Sequence, residues 1–231
     1  MPQIRRIRKR KLRQPAHLEE ELPVIDPVAV KAQLNSFLAR WTIAAIYVLI
    51  IGAVTLVYGQ VIEHKFIDLG DKAAVYGNPL VTSGLNSSAV MRVLNPFRID
   101  YLNAGFYSPI TVLTHMANWT SRSQVLEDRS PAYHLVNAIL HGLTAIMLFR
   151  VLRLVTGTIW RSALVAALFA IHPMQVETVA WVAERGTVLS GLFLVLALDA
   201  YVRYVYRPWS LVRYLTVLVL FVLGLLCKPA L

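Results

Sequence analysis

Charged residues and cysteine are both scarce in this sequence of 231 residues. Only 16% of the residues are charged and 57% are hydrophobic, which is too apolar a balance for a water-soluble domain of this size. The single cysteine, Cys227, excludes an intrachain disulfide and any metal site built from several thiolates. The bilayer is therefore the expected solvent of this chain.

Several catalytic motifs are also absent: a phosphate-binding loop, a dinucleotide-binding glycine pattern, a nucleophile elbow and a zinc-protease helix motif. Acidic residues number 13 against 23 lysines and arginines, but the basic excess lies in residues 5–13 and beside apolar runs. Membrane proteins carry basic residues in such places, so we expect no nucleic-acid partner. The basic tail either attracts anionic membrane lipids or serves only as a topology signal.

Apolar stretches after the tail predict an all-α, polytopic integral membrane protein with about five transmembrane helices. We expect a basic tail and an amphipathic lead-in helix in 1–40, the first span at 41–61, and a loop with an interfacial helix at 62–131. Four further spans fall within 132–231, at about 134–155, 160–172, 187–205 and 210–227. The span at 160–172 is too short to cross a core of about 30 Å alone, so it must borrow flanking residues or be a broken or re-entrant helix covered by protein.

Charge predicts the orientation of these spans. The basic tail is expected in the cytoplasm, whereas the long loop 62–131 has equal numbers of acidic and basic residues and is expected on the outer, periplasmic or lumenal, face. The later turns alternate in the same way, with arginines in the turns expected to face the cytoplasm.

Polar residues gather at the expected outer end of the third span. Glu177 and Glu184 lie seven positions apart, so one continuous helix would place both carboxylates on the same face, with Arg185 beside them. Ionisable groups near membrane depth usually mark a substrate path or a paired network, but such groups at a helix end are also often only solvated. These residues alone favour neither interpretation.

His134, Asn137 and His141 form a second polar stripe, which is expected to face other helices rather than lipid. Imidazoles and carboxylates ligate divalent ions, but this spacing is not an established ligand pattern, so we assign no metal ligand and leave a divalent cation open. In the outer loop, Asp68 or Asp71 is suited to act as a general base or to position such an ion. Without further context, loop aspartates are more often merely solvated.

Several separated segments resemble the membrane half of the transmembrane-and-tetratricopeptide-repeat proteins, which are GT-C-type glycosyltransferases. In chain order they are NPLVTSGL (78–85), SPITVLTHM (108–116), YHLVNAILH (133–141), AALFAIHP (166–173), VETVAWVAER (176–185) and VLSGLF (188–193). The resemblance covers roughly residues 62–231. It implies a GT-C-like fold and the transfer of a sugar from a polyprenyl- or dolichyl-phosphate donor to a protein hydroxyl on the outer face.

The resemblance also implies roles for individual residues. In the family an acidic pair lies shortly before the Asn-Pro dipeptide, and only Asp71 falls on that pair here. Asp71 is therefore the implied catalytic base, assisted by Asp68, which stands where the family has a neutral residue. The implied substrate-binding residues are His115, His134, Glu177, Glu184 and Arg185, with Arg185 as a partner for phosphate.

Some departures from the family pattern leave catalysis open. Gly186-Thr187 stands where Lys-Asp usually follows Glu-Arg, and the chain stops where relatives continue into further helices and a repeat domain. A single carboxylate beside Lys72 is a weaker base than one beside a second carboxylate. The alternative function is a non-catalytic accessory subunit, whose partner would be a larger membrane complex rather than a protein acceptor.

Overall fold

The computed structural model describes residues 27–68, 70–97, 107–121, 129–206 and 210–228. The basic tail predicted for the N-terminus lies outside these residues. The chain divides into two compact units, residues 1–42 and 43–231. All regular elements in the described ranges are helical, and three are long and apolar enough to cross a membrane. The predicted all-α membrane fold is thereby confirmed.

Nine α-helices follow one another along the described residues. They are α1 (Pro27–Tyr58), α2 (Pro79–Thr82), α3 (Ser87–Val93), α4 (Pro109–Ser121), α5 (Ser130–Thr156), α6 (Ile159–Ile171), α7 (Gln175–Ala180), α8 (Arg185–Tyr206) and α9 (Leu211–Cys227). The three segments long enough to span are Phe37–Glu63, Ser130–Thr156 and Val182–Tyr206, while α6 and α9 are shorter apolar helices. Of the about five transmembrane helices predicted, three are thus long enough to cross a membrane, and α6 and α9 are shorter.

Helix α6 is short because its sequence ends it. The residue before a proline is disfavoured in helical geometry, and His172, which precedes Pro173, is extended with φ −64° and ψ 132°. The chain resumes a helix only at Gln175. The helix is thus interrupted between Ile171 and Gln175.

The first unit contains the beginning of α1. Within it the rings of Phe37 and Trp41 meet edge to face, with centroids 6.0 Å apart. The hydroxyl of Thr42 donates to the carbonyl of Leu38 one turn earlier, at 2.9 Å.

The second unit has its membrane core between α1, α5 and α6. Its buried apolar side chains recur every four residues along α1, so they lie on one face of that helix. Alanines on α5 and α6 let the backbones approach closely. The core residues include Ile46, Ile50, Val54, Tyr58, Ala145, Phe149, Ala166 and Ala170. Leu49 and Leu56, on another face of α1, are 70% and 85% exposed and thus available to lipid.

A second apolar cluster lies in the segment that joins α1 to α5. Two asparagines organise it by capping short helices: the Asn78 side chain accepts from Leu80 N at 2.9 Å and that of Asn86 from Ala89 N at 2.8 Å. The buried members are Val75, Leu80, Val81, Ala89, Val93, Val112, Met116, Tyr133 and Val182. The described parts of this loop are therefore packed against the start of α5 and the segment before α8.

Close backbone packing holds α8 against the end of α9. A Cβ atom on Gly186 would lie 2.9 Å from the carbonyl oxygen of Cys227 and 3.1 Å from the Thr111 hydroxyl oxygen. That hydroxyl donates to the same Cys227 carbonyl at 2.8 Å, which brings α4 to the contact as well. Only glycine leaves room for this three-helix junction.

Replacing Gly186 by alanine is expected to lower the thermal unfolding midpoint of the detergent-solubilised chain by several degrees, because the junction must open by a few tenths of an ångström. Gly191→Ala is the matched control on the same helix, since its added Cβ meets nothing within 4 Å. It is expected to leave the midpoint unchanged or to raise it through helix propensity. Equal effects of the two variants would contradict the close packing at Gly186.

Candidate functional site

Arg185, the first residue of α8, is fully buried. Its Nε donates to the Asn137 side-chain oxygen at 2.8 Å, and its Nη2 donates to the Tyr133 carbonyl at 3.0 Å. A longer bond of 3.4 Å joins Nη1 to the Thr114 carbonyl, and the guanidinium lies 4.9 Å from the Tyr133 ring centroid. A buried cation is tolerated only when its donors are satisfied in this way, so Arg185 fastens α8 to α4 and α5.

Asn137 extends the same network toward the segment before α8. While its oxygen accepts from Arg185, its amide nitrogen donates to the carbonyls of Val179 and Trp181, each at 3.3 Å. Trp181 is extended, with φ −88° and ψ 118°, so α7 ends at Ala180. All three members of the predicted stripe are buried, at 1% for His134, 0% for Asn137 and 3% for His141.

The break at Trp181 corrects one sequence expectation. Glu177 and Glu184 are not on one face of a continuous helix, because Glu177 lies on α7 and Glu184 in the turn Val182–Glu184 after the break. The side chain of Glu177 is exposed. A tertiary contact explains why the helix is broken here. The carbonyls of Val179 and Trp181 accept hydrogen bonds from the Asn137 side chain of another helix instead of continuing the backbone hydrogen bonds of one helix.

Asp71 joins the loop after α1 to the turn before α8. It is fully buried, and each carboxylate oxygen accepts a backbone N–H: Oδ2 from Ile67 and Oδ1 from Ala183, both at 2.9 Å. Gly70 allows this approach with a φ of +107°, and a Cβ there would lie 3.3 Å from the Trp181 ring. The structure therefore places the implied catalytic base in a backbone-binding position.

Asp68, in contrast, is exposed and accepts a hydrogen bond from the hydroxyl of Tyr76. That hydrogen bond, with smaller contributions from slight burial and from the charges of Asp68 and Asp71, raises the pKa of Tyr76 above its ordinary value. The two aspartates differ in role by environment, because the buried one binds backbone and the exposed one faces solvent beside a phenol.

A third polar group combines Glu184 with two residues that sequence reasoning did not select. The Lys228 ammonium donates to Glu184 Oε2 and to the Thr187 hydroxyl oxygen, each at 2.7 Å, and Thr187 donates to the same carboxylate. The side chains of Lys228 and Glu184 are 29% and 27% exposed, so the pair is open to solvent. The only sequence signal for Lys228 is an isolated lysine at the end of an apolar stretch.

His115 lies within this end of the bundle but is 1% exposed. Its ring stacks on Tyr133 at 5.7 Å, and neither ring nitrogen has a hydrogen-bond partner among the described residues. Burial, reinforced by the nearby positive charge of Arg185, holds the pKa of His115 well below its ordinary value of 6.5. His134 is also buried, with its ring 6.5 Å from that of His64.

The structure brings some of the predicted site residues together. Asp71, Glu184 and Arg185 lie around the turn Val182–Glu184, and the Tyr133 ring contacts both the Arg185 guanidinium and the His115 ring. His134 is buried beside His64, and Asp68 faces solvent beside Tyr76. Glu177 does not join them. Within the described ranges no three His, Cys, Asp or Glu side chains are grouped closely enough to hold a metal ion.

Asp71→Asn is expected to lower the free energy of unfolding by about 1–3 kcal/mol, because an amide NH2 would then face one of the two backbone N–H donors. Asp68→Asn is the matched control in the same loop and is expected to change stability little. Thermal unfolding of both variants in one detergent measures the difference. Equal midpoints for Asp71→Asn and the native chain would exclude the structural role.

Acid is expected to destabilise the protein partly through His115. The unfolded chain protonates this imidazole near pH 6.5, whereas the folded state keeps it neutral, so stability falls as pH drops below that value, by up to about 1.4 kcal/mol per pH unit. His115→Phe should therefore lose less stability between pH 7.5 and pH 5 than the native chain does in thermal unfolding. Replacing the exposed His172 by phenylalanine is the control and should leave that pH dependence as it is.

No protein-family model matches the chain, and no solved structure matches it. Among curated proteins, human protein O-mannosyl-transferase TMTC3 is 30% identical over 165 residues, and human protein O-mannosyl-transferase TMTC1 is 32% identical over 165 residues. Protein O-mannosyl-transferase Tmtc2 of Drosophila melanogaster is 29% identical over 160 residues.

These alignments cover 67%, 67% and 66% of this chain but only 16%, 18% and 15% of the respective relatives. The chain thus spans less than a fifth of the length of the proteins that it matches. Together with the multi-pass helical fold, these alignments show that the chain is an integral membrane protein. Its homologues are the protein O-mannosyl-transferases of the transmembrane-and-tetratricopeptide-repeat family.

Proposed function

We propose that this chain forms the membrane part of a sugar transferase that moves mannose from a polyprenyl- or dolichyl-phosphate donor to a protein hydroxyl. The observation that carries the proposal is the bond between Asp71 and Ala183. It joins the loop that carries Asp68 and Asp71 to the 176–185 segment, although 112 residues separate the two partners in sequence. The resemblance associates both regions with the reaction. The names of the relatives supply the sugar and the acceptor chemistry.

In the proposed reaction a carboxylate removes the proton from the acceptor hydroxyl. The hydroxyl oxygen then forms a bond to the anomeric carbon of the sugar, while the bond from that carbon to the phosphate oxygen breaks and the lipid phosphate leaves. The geometry favours Asp68 as the base, since it is exposed, and Asp71 as a positioning residue, since both its oxygens bind backbone. This exchanges the roles that the resemblance implies for the two aspartates.

Lys228 is the cation better placed to meet the donor phosphate. Arg185 is buried, with its guanidinium bonded to an amide oxygen and two carbonyls, so a phosphate would have to displace those bonds. Lys228 is partly exposed beside Glu184 and Thr187. A lysine ammonium is a suitable point charge for phosphate, and its bond to Glu184 keeps it positioned before the donor arrives.

We propose that this reaction takes place on the outer, periplasmic or lumenal, face of the membrane. Arg203 and Arg213 mark the end of α8 and the beginning of α9, whereas Asp68, Asp71 and Glu184 lie near the beginning of α8. Arginine-rich turns are retained in the cytoplasm, which supports an outer, periplasmic or lumenal position for the carboxylates.

The decisive experiment incubates purified full-length protein with mannose-labelled polyprenyl phosphate and a serine- and threonine-rich acceptor protein, and measures hexose addition by mass spectrometry. Asp68→Asn is expected to reduce transfer by at least about a hundredfold at unchanged thermal stability, the scale of a lost general base. Glu63→Gln, which removes another exposed carboxylate of the second unit, is the control and should transfer at the native rate.

Full transfer by Asp68→Asn would exclude Asp68 as the base. If Asp71→Asn, once stabilised by low temperature, then loses transfer selectively, the assignment implied by the family resemblance is correct instead. Absence of transfer by the native protein under all donor conditions would exclude the enzyme function.

A non-catalytic subunit is the second candidate, and one observation favours it. Asp71, the residue at the position of the family's acidic pair, is buried, and both its carboxylate oxygens accept backbone N–H groups. Such an arrangement is typical of a residue with a structural role. This function predicts that the chain co-purifies with a stoichiometric membrane partner and releases no sugar from the donor. Sugar transfer by the monodisperse isolated chain would exclude it.

A further inference from the structure

A cleft lined by two arginines lies at the far end of α8 from the candidate site. Its volume is about 310 Å³, and it opens between the last turns of α8 and the first turns of α9. At 1.5 Å per residue, Arg203 lies about 27 Å along the helix from Arg185, so this cleft is separate from the proposed catalytic end. The lining residues are Ala200, Arg203, Tyr206, Arg213 and Thr216.

The side chains around the cleft carry a net positive charge. Asp199 accepts from Arg203 Nε at 2.8 Å and lies 3.4 Å from Arg150 Nε, so two arginines share one carboxylate. Arg213 donates one N–H to the carbonyl of Arg203 at 3.1 Å, and no carboxylate in the described part of the chain lies within ion-pair distance of it. Three guanidinium groups with one acid leave an excess that favours an anion.

The backbone adds to this preference. Arg213 belongs to the first turn of α9, a helix of 17 residues, and the amide groups at a helix beginning carry partial positive charge. The rest of that turn is apolar and exposed, with Leu211 at 69% and Val212 at 74%. An anionic headgroup in the cleft would therefore have an apolar surface beside it, against which its attached lipid chains could lie.

Aromatic side chains indicate the depth of the cleft in the membrane. Tyr201, Tyr206 and Tyr214 are 53%, 69% and 47% exposed, and Tyr204 and Tyr214 meet with ring centroids 6.0 Å apart. Exposed tyrosines concentrate at the level of the lipid headgroups. The cleft thus lies where phosphates of lipids are present at high local concentration.

We propose that this cleft binds the phosphate headgroup of an anionic membrane lipid between Arg203 and Arg213. The planar guanidinium fork of each arginine matches phosphate oxygens, while the lipid chains lie along the apolar start of α9. Binding at this site is independent of sugar transfer, which takes place at the other end of α8.

The test titrates the detergent-solubilised full chain with short-chain phosphatidylglycerol and measures the dissociation constant by native mass spectrometry. Arg213→Gln is expected to weaken binding roughly fivefold, the effect of losing one basic group near an anionic surface. Arg161→Gln is the matched control, because it removes an exposed arginine from the first turn of α6 that does not line the cleft. It should bind like the native chain.

Equal weakening by Arg161→Gln and Arg213→Gln would overturn the proposal in favour of diffuse surface attraction. Phosphatidylcholine and inorganic phosphate are the other arms of the titration. Binding of phosphatidylcholine as tight as that of phosphatidylglycerol, or inorganic phosphate displacing the lipid at equal concentration, would also overturn it.

Arg213→Lys keeps the positive charge but lacks the planar guanidinium fork, so it tests the site even if Arg213→Gln fails to fold. If Arg213→Lys binds the lipid as tightly as the native chain does, that result would count against the two-arginine geometry.

Discussion

The buried guanidinium of Arg185 is the interaction on which this end of the bundle depends. A cation without water must have its N–H donors satisfied, and here the acceptors come from α4 and α5. That requirement fixes where α8 begins relative to those helices. It also orients Asn137, whose amide group then binds the carbonyls on either side of the break between α7 and α8. One residue thereby determines the path of the turn that carries Glu184.

A division of labour between carboxylates follows from that path. Because the turn Val182–Glu184 is held in place, the N–H of Ala183 donates to the Asp71 carboxylate. Asp71 therefore serves as a structural hydrogen-bond acceptor. Asp68 and Glu184 remain accessible, the first beside a tyrosine hydroxyl and the second beside Lys228. Asp68 and Asp71 carry identical side chains three positions apart. They differ in what they can contribute to chemistry because Asp71 is buried and bound to backbone N–H groups, whereas Asp68 is exposed.

The segments that resemble the glycosyltransferase family are largely those that build this scaffold. Asn78 caps a short helix, and Asn137 and Arg185 form the buried network. Each position demands its residue type for packing or hydrogen bonding, whatever reaction takes place nearby. Sequence similarity in these segments is thus first a statement about shared architecture, and the chemistry depends on the few exposed groups between them.

Hydropathy and local rules determined much of this protein from its sequence alone. Apolar stretches and charge-free runs identified the helices, and the short apolar run at 160–172 indicated a short helix, which ends at Ile171 before Pro173. The inward orientation of His134, Asn137 and His141 also followed, since polar groups avoid lipid. These features depend on residues close together in the chain.

Only the tertiary structure decided which polar groups remain exposed. Their exposure depends on contacts between residues far apart in sequence: Asp71 and Ala183 are 112 positions apart, and Glu184 and Lys228 are 44 apart. Burial and hydrogen-bond satisfaction are properties of the assembled bundle, so periodicity could neither bury Asp71 and Arg185 nor separate Glu177 from Glu184.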